Sequence, residues 1–547
     1  MSAILPTSDL LEYIEQLNEI GIALSAQRDT NALLEMILLG AKGMLNADGG
    51  TIYSVTVDRQ LKFEIMINDS LQIKRGGTTG EAIPFHPISL YDSSGKPNNC
   101  MVAAYAAIAK KAVNIPDAYT VKGFDFSGTR SFDAQTGYRS QSFLTIPMLN
   151  HEDELIGVLQ LINAIDPLTG KVIPFSPQAS RIGESLASQA AIALTNHNLV
   201  QEFKLLFESF ISLIANAIDE KSPYTGGHCR RVPDLTMMLA EAACNSTHGI
   251  LKDFTMSAEE LYELKIAGLL HDCGKVTTPV HVVDKATKLE TIFDRINLID
   301  TRFEVLKRDA EINFLRQKLE AIESDLVTDI ATLETEYKQY LQQLDLDREF
   351  LRSCNIGGEY MSEQSKQRVK EIAQYRWTDP SGQLVPFLSE DEVYNLNITK
   401  GTLTPEERDI INRHITVTIE MLEALPYPKN LRRITEFAGG HHERMDGKGY
   451  PKGLTREQMS IPARIMAIAD IFESLTAQDR PYKKGNSLSE CLHIMGKMKL
   501  DNHIDPDLFE LFISEQVYLR YAEEYLDADQ IDEIDITKIP GYTPIVN

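Results

Sequence analysis

The chain has 547 residues, of which 43% are apolar and 24% charged, and its formal net charge at pH 7 is −25. This length exceeds a single hydrophobic core, so we expect roughly two to four globular domains. The acidic balance argues against a nucleic-acid-binding surface, and the absence of a long apolar run argues against a membrane-spanning helix.

Residues 1–177 mix helical and strand patterns. LLEYIEQLNEIGIALSA and TNALLEMILLGAKGML place apolar residues at helical spacing. TIYSVTV, KFEIMI, SFLTIPML and ELIGVLQLIN are typical of strands, and the polar segment between the last two predicts a hairpin. The sequence therefore predicts a mixed α/β (α+β) domain here.

One long helix is predicted over residues 178–221, because no proline occurs between Pro177 and Pro223. Its apolar residues, among them Phe203 and Phe210, recur at i, i+3, i+4 and i+7 and form a sustained stripe. At 1.5 Å per residue the helix would be on the order of 60 Å long. We expect it to connect two domains and to pair with a second copy in a homodimer; the alternative is a helix packed on its own domain.

From residue 222 onward the pattern is almost entirely helical, with a distinct block at residues 290–403. Apolar residues from Ile312 to Leu344 keep a 3–4 spacing, with charged residues between them, which predicts a coiled coil. The tryptophan-bearing stretch that follows, which contains TDPSGQLVPF, is expected to be irregular. Segments 222–289 and 404–547 are expected to form one all-α domain around this insert.

Histidines and aspartates in helical contexts are the candidate metal ligands of that domain. Asp470 lies among apolar residues in IPARIMAIADIFESLTA, where an unpaired carboxylate would be costly. Any one histidine alone is more often an ordinary core or surface residue, but several of them fall in one predicted domain together with two aspartates. Imidazole plus carboxylate ligands favour iron, manganese or zinc over magnesium. The candidates are His228, His271, Asp272, His414, His441, His442 and Asp470.

Four motifs, HDCGK, NRHITVTIEML, HHERMDGKGYP and ADIFESLTAQDRPYK, occur in the order typical of the HD-GYP family. The chain resembles this branch of the HD-domain phosphohydrolases over about residues 205–290 and 404–520. Its members are all-helical, metal-dependent phosphodiesterases that hydrolyse the bacterial second messenger cyclic di-GMP. The resemblance implies that activity and two divalent ions per chain, iron or manganese.

The resemblance also implies roles for the matching residues. One ion would be bound by His228, His271, Asp272 and Asp470, and the other by His414, His441 and His442, with Asp272 bridging the two ions. Asp272 and Lys275 would be catalytic, and Lys275 would contact the scissile phosphate. The substrate contacts would be Lys275, Gly449, Tyr450, Arg480 and Lys483. A surface ion pair is the alternative role for the last two.

Three features depart from the family pattern. KATKL at 285–289 replaces a Lys-Pro-Gly-Lys-Leu segment, and more than a hundred residues then precede Thr404. Three roles fit this insert: a lid, a partner-binding arm or a dimerisation element. Tyr224 stands where some members have an acidic ligand for a third metal, so we expect two ions, with Asp219 and Glu220 capping or solvated instead. Cys273 replaces an apolar residue and is expected to be small and buried.

NADGGTIYSV, TGYRSQSFLTIPML and ELIGVLQLIN resemble a GAF domain of the cyclic-nucleotide-binding kind. The resemblance implies a sensor with a central antiparallel sheet. Its role would be either to bind a small molecule, such as a cyclic nucleotide, or to dimerise the chain. In the first case the expected lid residues are Phe124, Asp125, Phe126, Arg130 and Thr136.

The expectation for the whole chain is multidomain. It comprises a GAF sensor (1–177), a connecting dimerisation helix (178–221), an HD-GYP domain in two parts (222–289 and 404–547, the latter with a C-terminal tail) and a helical insert (290–403). Scattered cysteines without a CxxC pair fit a cytoplasmic protein. We expect a GAF-regulated cyclic di-GMP phosphodiesterase. The alternatives are a hydrolase of another cyclic dinucleotide, such as cyclic GMP-AMP, and a non-hydrolysing cyclic di-GMP receptor, which would be marked by a lost metal ligand.

Overall fold

The computed structural model describes residues 15, 18–23, 26–27, 29–221, 227–247, 249–323, 330–358, 360–478 and 485–543. The chain divides into two compact units, Met1–Phe207 and Glu208–Asn547. Across these described ranges, no helix combines the length and the apolar character that crossing a membrane requires.

An antiparallel sheet of eight strands forms the centre of the N-terminal unit. The strands are β1 (Ala47–Val55), β2 (Gln60–Asn68), β3 (Ile73–Gly76), β4 (Ile88–Ser89), β5 (Val113–Ile115), β6 (Phe143–Leu149), β7 (Leu155–Ile165) and β8 (Val172–Ile173). Their order along the main path is β3-β2-β1-β7-β6-β5. The four predicted strands are confirmed as β1, β2, β6 and β7, and β6 pairs with β7 in the predicted hairpin.

Helices pack on both faces of this sheet. The helices are α1 (Thr30–Met44), α2 (Val102–Ala109), α3 (Ser127–Thr136) and α4 (Pro177–Lys221), of which α4 continues past Phe207 into the C-terminal unit. Asp29 begins α1 by accepting a hydrogen bond from the Ala32 amide at 2.7 Å. Buried leucines of α1 and alanines of α4 pack together against the sheet. The predicted helices at α1 and α4 are confirmed, whereas most of the helix predicted at residues 10–26 lies outside the described residues.

The C-terminal unit is built almost wholly from helices. They are α5 (His228–Asn245), α6 (Ala258–Leu270), α7 (Val280–Val283), α8 (Ile296–Glu323), α9 (Ile330–Asn355), α10 (Glu363–Ile372), α11 (Glu390–Leu396), α12 (Pro405–Glu423), α13 (Ile434–Gly439), α14 (Ile461–Thr476), α15 (Leu488–Leu500), α16 (Pro506–Ser514) and α17 (Val517–Tyr525). Helix α5 packs against both α6 and α14 through fully buried side chains such as Leu239, Leu264 and Phe472. This three-helix contact fixes the elements that carry the candidate ligands.

The insert forms a helical hairpin with its own core. Helices α8 and α9 are antiparallel, because Asp300 pairs with Arg352 while Lys307 pairs with Asp345. The predicted coiled-coil pattern is therefore divided between two antiparallel helices. Part of its stripe faces solvent instead of α9, with exposed fractions between 47% and 61% at Ile312, Leu315, Leu319 and Ile322.

The tryptophan-bearing stretch predicted to be irregular is a small β-hairpin instead. Strands β9 (Arg376–Thr378) and β10 (Leu384–Pro386) pair antiparallel. The Asp379 carboxylate accepts hydrogen bonds from the Ser381 and Gln383 amides, and Gly382 adopts a positive φ of 82°. The sequence TDPSGQ thus carries ordinary turn chemistry that the prediction did not use.

Candidate metal centre

Asp272 lies at the centre of the candidate site. It follows the C-terminus of α6 and precedes a 3-10 helix, Cys273–Thr277, so its carboxylate leaves the helix at a fixed point. One oxygen, Oδ2, lies 3.2 Å from His228 Nε2 and 3.3 Å from His271 Nε2. The other oxygen, Oδ1, lies 3.2 Å from His414 Nε2. A single buried carboxylate therefore faces two groups of imidazoles.

The remaining predicted ligands complete these two groups. Asp470, from the middle of α14, places Oδ1 3.3 Å from His228 Nε2 and 3.7 Å from His271 Nε2. In the second group, the ligand atoms of His414, His441 and His442 all lie within 4.8 Å of one another. The structure thus brings together all seven side chains that the sequence marked as metal ligands, although they come from five separate segments.

Four of the five histidine rings are held through Nδ1, which directs Nε2 toward the centre of the site. The acceptors are the backbone oxygens of Gly268, Ile411 and Ala438 for His271, His414 and His441, and the Glu473 carboxylate for His228. A proton held at Nδ1 leaves the Nε2 lone pair available, which is the tautomer that a metal ligand needs.

Unpaired buried atoms show that these residues fit a divalent cation. Asp272 Oδ1, His414 Nε2 and His441 Nε2 are buried, yet no hydrogen bond within the described part of the chain reaches them. Such atoms are costly unless a further partner is present. Ligands about 2.0–2.1 Å from a common ion lie roughly 3.0–3.3 Å from one another. The distances of 3.2–3.3 Å around Asp272 match that spacing.

The electrostatics of the site also favour a cation. Burial lowers the pKa of His442 to about 4 and that of His441 well below its usual value, so both rings are neutral at pH 7. Burial acts in the same direction on His271, but Asp272 outweighs it and raises the pKa to about 9. Without a metal, the first group therefore retains a proton to offset its carboxylates. A bound cation would supply that positive charge instead.

Lys275 reaches the same carboxylate. Its Nζ lies 2.5 Å from Asp272 Oδ2, and the side chain is largely buried. Burial would raise the pKa of Asp272, yet the ammonium of Lys275 and the ring of His271 hold it well below its usual range. Lys275 therefore points into the site one turn after Asp272, as the resemblance implied.

Residues after His442 form a wall beside the second group. The ring of Tyr450 stacks on that of His442, with centroids 4.9 Å apart and an interplanar angle of 27°. Glu443 is buried, and its carboxylate accepts hydrogen bonds from the Lys452 amide at 2.7 Å and the Leu454 amide at 2.9 Å. Glu443, which the sequence analysis did not single out, thus fixes the loop that carries Tyr450.

The two glycines of this loop are required for different structural reasons. Gly447 has a φ of +74°, which an L-residue adopts with strain, so it serves the sharp turn. Gly449 is required for close approach instead, because a Cβ there would lie 2.4 Å from both Glu443 Cα and Arg444 N. Gly449 therefore serves the close packing of the loop and not its turn.

Several other predictions concern residues around the site. Cys273 is buried, as expected, and Asp219 caps a helix by accepting hydrogen bonds from the amides of Gly227 and Cys229. Tyr224 and the predicted substrate contacts Arg480 and Lys483 lie outside the described residues.

Glu473 is a functional candidate that the sequence analysis missed. Its side chain is 1% exposed, and its two oxygens contact His228 Nδ1 and Arg231 Nε. It lies three residues after Asp470 on α14, so both carboxylates project from one helix face. The available signal was a second acidic residue at i+3 within an otherwise apolar helix.

Glu473→Gln is expected to weaken Mn²⁺ binding by about 10- to 100-fold. A neutral amide is a weaker hydrogen-bond acceptor than a carboxylate for the proton on His228 Nδ1, so it orients the ring less firmly. Isothermal titration of metal-free protein with Mn²⁺ would measure this. The exposed Glu523→Gln serves as the matched control and should leave the affinity unchanged. An unchanged affinity in Glu473→Gln would contradict a role for Glu473 in orienting His228.

A cavity of about 360 Å³ lies in the N-terminal unit, on the sheet face opposite α1. Aromatic side chains such as Tyr53, Phe63 and Phe132 line it. Of the expected lid residues, Asp125 and Phe126 also line the cavity. Phe124, Arg130 and Thr136 do not line it; the Thr136 hydroxyl instead donates to the Phe132 carbonyl within α3.

Each of the two units contains a match to a known domain family. The sequence profile of the HD domain matches residues 390–508, and that of the GAF domain matches residues 29–194. The HD match contains His414, His441, His442 and Asp470. His228, His271 and Asp272 precede the insert and lie outside the match, so only the fold brings them to the other ligands.

The chain is similar to curated bacterial enzymes over a limited region. It is 38% identical over 120 residues to 3'3'-cGAMP-specific phosphodiesterase 1 of Vibrio cholerae, which is 22% of this chain and 27% of that protein. It is 37% identical over 113 residues to a cyclic di-GMP phosphodiesterase of Pseudomonas aeruginosa, or 21% and 26% of the two chains. The match thus spans about a quarter of the length of each relative.

Among solved structures, a GAF domain from an Acinetobacter phosphoenolpyruvate-protein phosphotransferase aligns with 35% of this chain and 98% of its own, at 14% identity and a TM-score of 0.26. HD domains bind divalent metal ions, and the clusters around Asp272 supply suitable side chains. The chain therefore combines an N-terminal GAF domain with a largely helical region that carries an HD domain similar to those of cyclic-dinucleotide phosphodiesterases.

Proposed function

We propose that this protein is a metal-dependent phosphodiesterase that hydrolyses a cyclic dinucleotide, with cyclic di-GMP as the expected substrate. The carrying observation is the Asp272 carboxylate, whose two oxygens each face a separate group of imidazoles. This arrangement supports two divalent ions, iron or manganese, bridged by one side chain. A receptor that had lost hydrolysis would lack a ligand, and all seven are present.

Two bound ions would supply Lewis-acid activation of water and of the phosphoryl group. The protein's own side chains do the rest. Asp272 holds the two halves of the site in register. Lys275 places an ammonium beside Asp272, where it can offset charge on a phosphate oxygen. Tyr450 presents an aromatic face against which a guanine can stack.

A second substrate is supported by several relatives. Three Vibrio cholerae proteins similar to this chain are named for 3'3'-cGAMP, and one of them is 38% identical to it, against 37% for the Pseudomonas aeruginosa cyclic di-GMP enzyme. The two substrates differ by one purine base, so the side chains that contact the bases would decide between them. Arg480 and Lys483 remain the proposed contacts from the sequence.

Removal of metal is expected to reduce hydrolysis at least about a hundredfold, and adding Mn²⁺ or Fe²⁺ under anaerobic conditions should restore it. The test incubates chelator-treated and reloaded full-length protein with cyclic di-GMP, 3'3'-cGAMP and cyclic GMP, and separates the products by chromatography. Hydrolysis of cyclic GMP alone, or no hydrolysis by the reloaded protein, would contradict the proposal.

A homodimer through α4 is also proposed. Large apolar residues of this helix remain exposed at alternating spacings of three and four, with exposed fractions between 53% and 69% at Leu199, Phe203, Leu206, Phe210 and Leu213. Such a stripe is the seam of a coiled coil and is costly to leave in water. A second copy of α4 presents the same stripe and would bury it.

Phe203→Glu combined with Leu206→Glu is expected to raise the dimer dissociation constant at least about a hundredfold, since charges would enter the apolar seam. Sedimentation equilibrium on the full chain measures the change. Gln201→Glu, an exposed position off the seam, is the matched control and should remain dimeric. A dimer that survives the double substitution would place the interface elsewhere.

The GAF cavity is proposed to bind a small molecule that regulates the HD domain. Its aromatic lining suits a planar ring, and buried polar groups such as Gln160 and Asn68 can orient it. A cyclic nucleotide contains such a ring, and it is also the ligand that the resemblance to cyclic-nucleotide-binding GAF domains implies. Helix α4 runs from the GAF domain into the HD region and is the proposed route of the signal.

A further inference from the structure

The last turn of α4 contacts two of the three chain segments that supply ligands of the first metal group, those of His228 and of Asp272. Lys221 is the final residue of this helix, and Asp219 lies two positions before it. Neither residue is among the candidate ligands or substrate contacts. Each makes more than one hydrogen bond to the backbone of the HD region.

Lys221 binds the segment that follows Asp272. Its ammonium donates to the carbonyl oxygens of Lys275 at 2.9 Å, Thr278 at 2.6 Å and Val276. These carbonyls lie at the C-terminal end of the 3-10 helix Cys273–Thr277. The Lys275 carbonyl also accepts a hydrogen bond from the Thr278 amide at 3.1 Å. The ammonium adds a second hydrogen bond there and joins the Lys275, Val276 and Thr278 carbonyls, so it fixes the turn from which the Lys275 side chain reaches Asp272.

Asp219 binds the segment that carries His228. Its Oδ2 accepts a hydrogen bond from the Gly227 amide at 3.1 Å, and its Oδ1 accepts one from the Cys229 amide at 3.2 Å. These amides flank His228, which is the first residue of α5. A carboxylate at a helix N-terminus is favourable both as a cap and toward the helix dipole. The backbone of His228 is thereby held on both sides.

The two contacts lie on nearly opposite sides of α4, because successive residues of a helix are turned by about 100° and these two are two positions apart. A rotation of α4 about its axis would move them in opposite directions. The segment of Lys275 would be displaced in one direction and the segment of His228 in the other. The ligands of the first metal group would then change their separation.

We propose that Asp219 and Lys221 are positioning residues that clamp the His228 segment and the Asp272 segment of the first metal group to α4, so that movement of this helix alters metal binding there. The inference rests on the proposed assignment of His228 and Asp272 as metal ligands. It does not require that the substrate be a cyclic dinucleotide.

The test measures Mn²⁺ affinity of the metal-free, full-length protein by competition with a fluorescent chelator. Lys221→Met should raise the Mn²⁺ dissociation constant at least about tenfold, because methionine keeps the side-chain length but donates no hydrogen bond. Lys221→Arg should restore the affinity to within about threefold, since a guanidinium can donate to the same carbonyls. Asp219→Asn should also weaken binding. The exposed Glu220→Gln, between the two, is the matched control and should bind as the parent does.

Circular dichroism and thermal melting would identify a variant that fails to fold, in which case Lys221→Arg and Asp219→Asn carry the test. Parental Mn²⁺ affinity in folded Lys221→Met or Asp219→Asn would overturn the clamp. Weakened binding in Glu220→Gln to the same extent would overturn it too, since the effect would then belong to the helix end in general.

Coupling to the helix is tested by deleting Glu202, which rotates the preceding part of α4 by about 100° relative to the clamp. This deletion should change the Mn²⁺ affinity at least about fivefold in the parent and less than twofold in the Asp219→Asn, Lys221→Met double variant. Equal changes in both backgrounds, or none in the parent, would overturn the inference. Because none of these measurements uses substrate, absence of hydrolysis would contradict the proposed function while leaving the clamp standing.

Discussion

Asp272→Ala is expected to abolish hydrolysis, with kcat falling at least about a thousandfold. Asp272 is the only one of the seven candidate ligands whose two oxygens face different groups, His228 and His271 on one side and His414 on the other. Its loss would remove a ligand from both ions at once and leave Lys275 without its partner. The measurement compares kcat, metal content by elemental analysis, and helicity by circular dichroism.

The fold is expected to survive this substitution. Asp272 lies between the end of α6 and a short 3-10 helix, and its carboxylate contacts side chains of the site. Asp272 raises the pKa of His271, so this ring can release its proton when the carboxylate is lost, which limits the positive charge left in the metal-free site. Asp409→Ala, on the exposed face of α12, is the matched control and should retain parental activity. Near-parental hydrolysis by folded Asp272→Ala would show that Asp272 is not the bridging ligand.

The clustering of the candidate ligands could be predicted from the sequence because their local patterns are uncommon. His441 and His442 are adjacent, His271 and Asp272 are adjacent, and Asp470 lies in an apolar helix. Such positions stand out against their neighbours. The residues that hold these ligands do not, since a backbone oxygen accepts the Nδ1 proton of His271, His414 and His441. No sequence pattern marks a backbone oxygen.

Glu473 and Glu443 were harder to predict than the candidate ligands and easier than the backbone oxygens. Each is an acidic residue within three positions of a ligand, and each is buried with specific partners. From the sequence, Glu473 looks like a polar residue on the solvated side of α14, and Glu443 like part of a charged loop. Their burial depends on contacts with residues that are distant along the chain, such as His228, so tertiary packing overrides the local pattern.

The insert shows a different limit. Its apolar spacing correctly indicated helices, but the pattern is the same whether one helix continues or two helices fold back on each other. Phe314 and Tyr337 stack at 4.7 Å across the antiparallel pair, a contact between positions that a continuous helix would keep more than 30 Å apart by the rise of 1.5 Å per residue. Pairing direction is a tertiary property, which periodicity alone does not encode.

Gly274→Ala is expected to lower the free energy of unfolding of the HD region by about 3 kcal/mol and to abolish hydrolysis. A Cβ at this position would lie 1.9 Å from the His414 carbonyl oxygen and 2.6 Å from the Thr418 amide nitrogen. Both obstacles are backbone atoms of α12, so no side-chain rotation relieves the contact. The Gly274 amide also donates to Thr418 Oγ1 at 2.9 Å, a bond that the displaced backbone would lose.

The effect on activity follows from what the two segments carry. Gly274 follows Asp272 by two residues, and the obstructing carbonyl belongs to His414, so separating these backbones draws apart the two side chains whose atoms lie 3.2 Å from each other. Thermal melting and kcat measure the two effects. Gly43→Ala is the matched control, because nothing lies within 4 Å of a Cβ there and alanine favours the α1 helix by up to about 1 kcal/mol. If Gly274→Ala has the parental melting temperature and the parental kcat, the segment after Asp272 and α12 do not approach each other this closely.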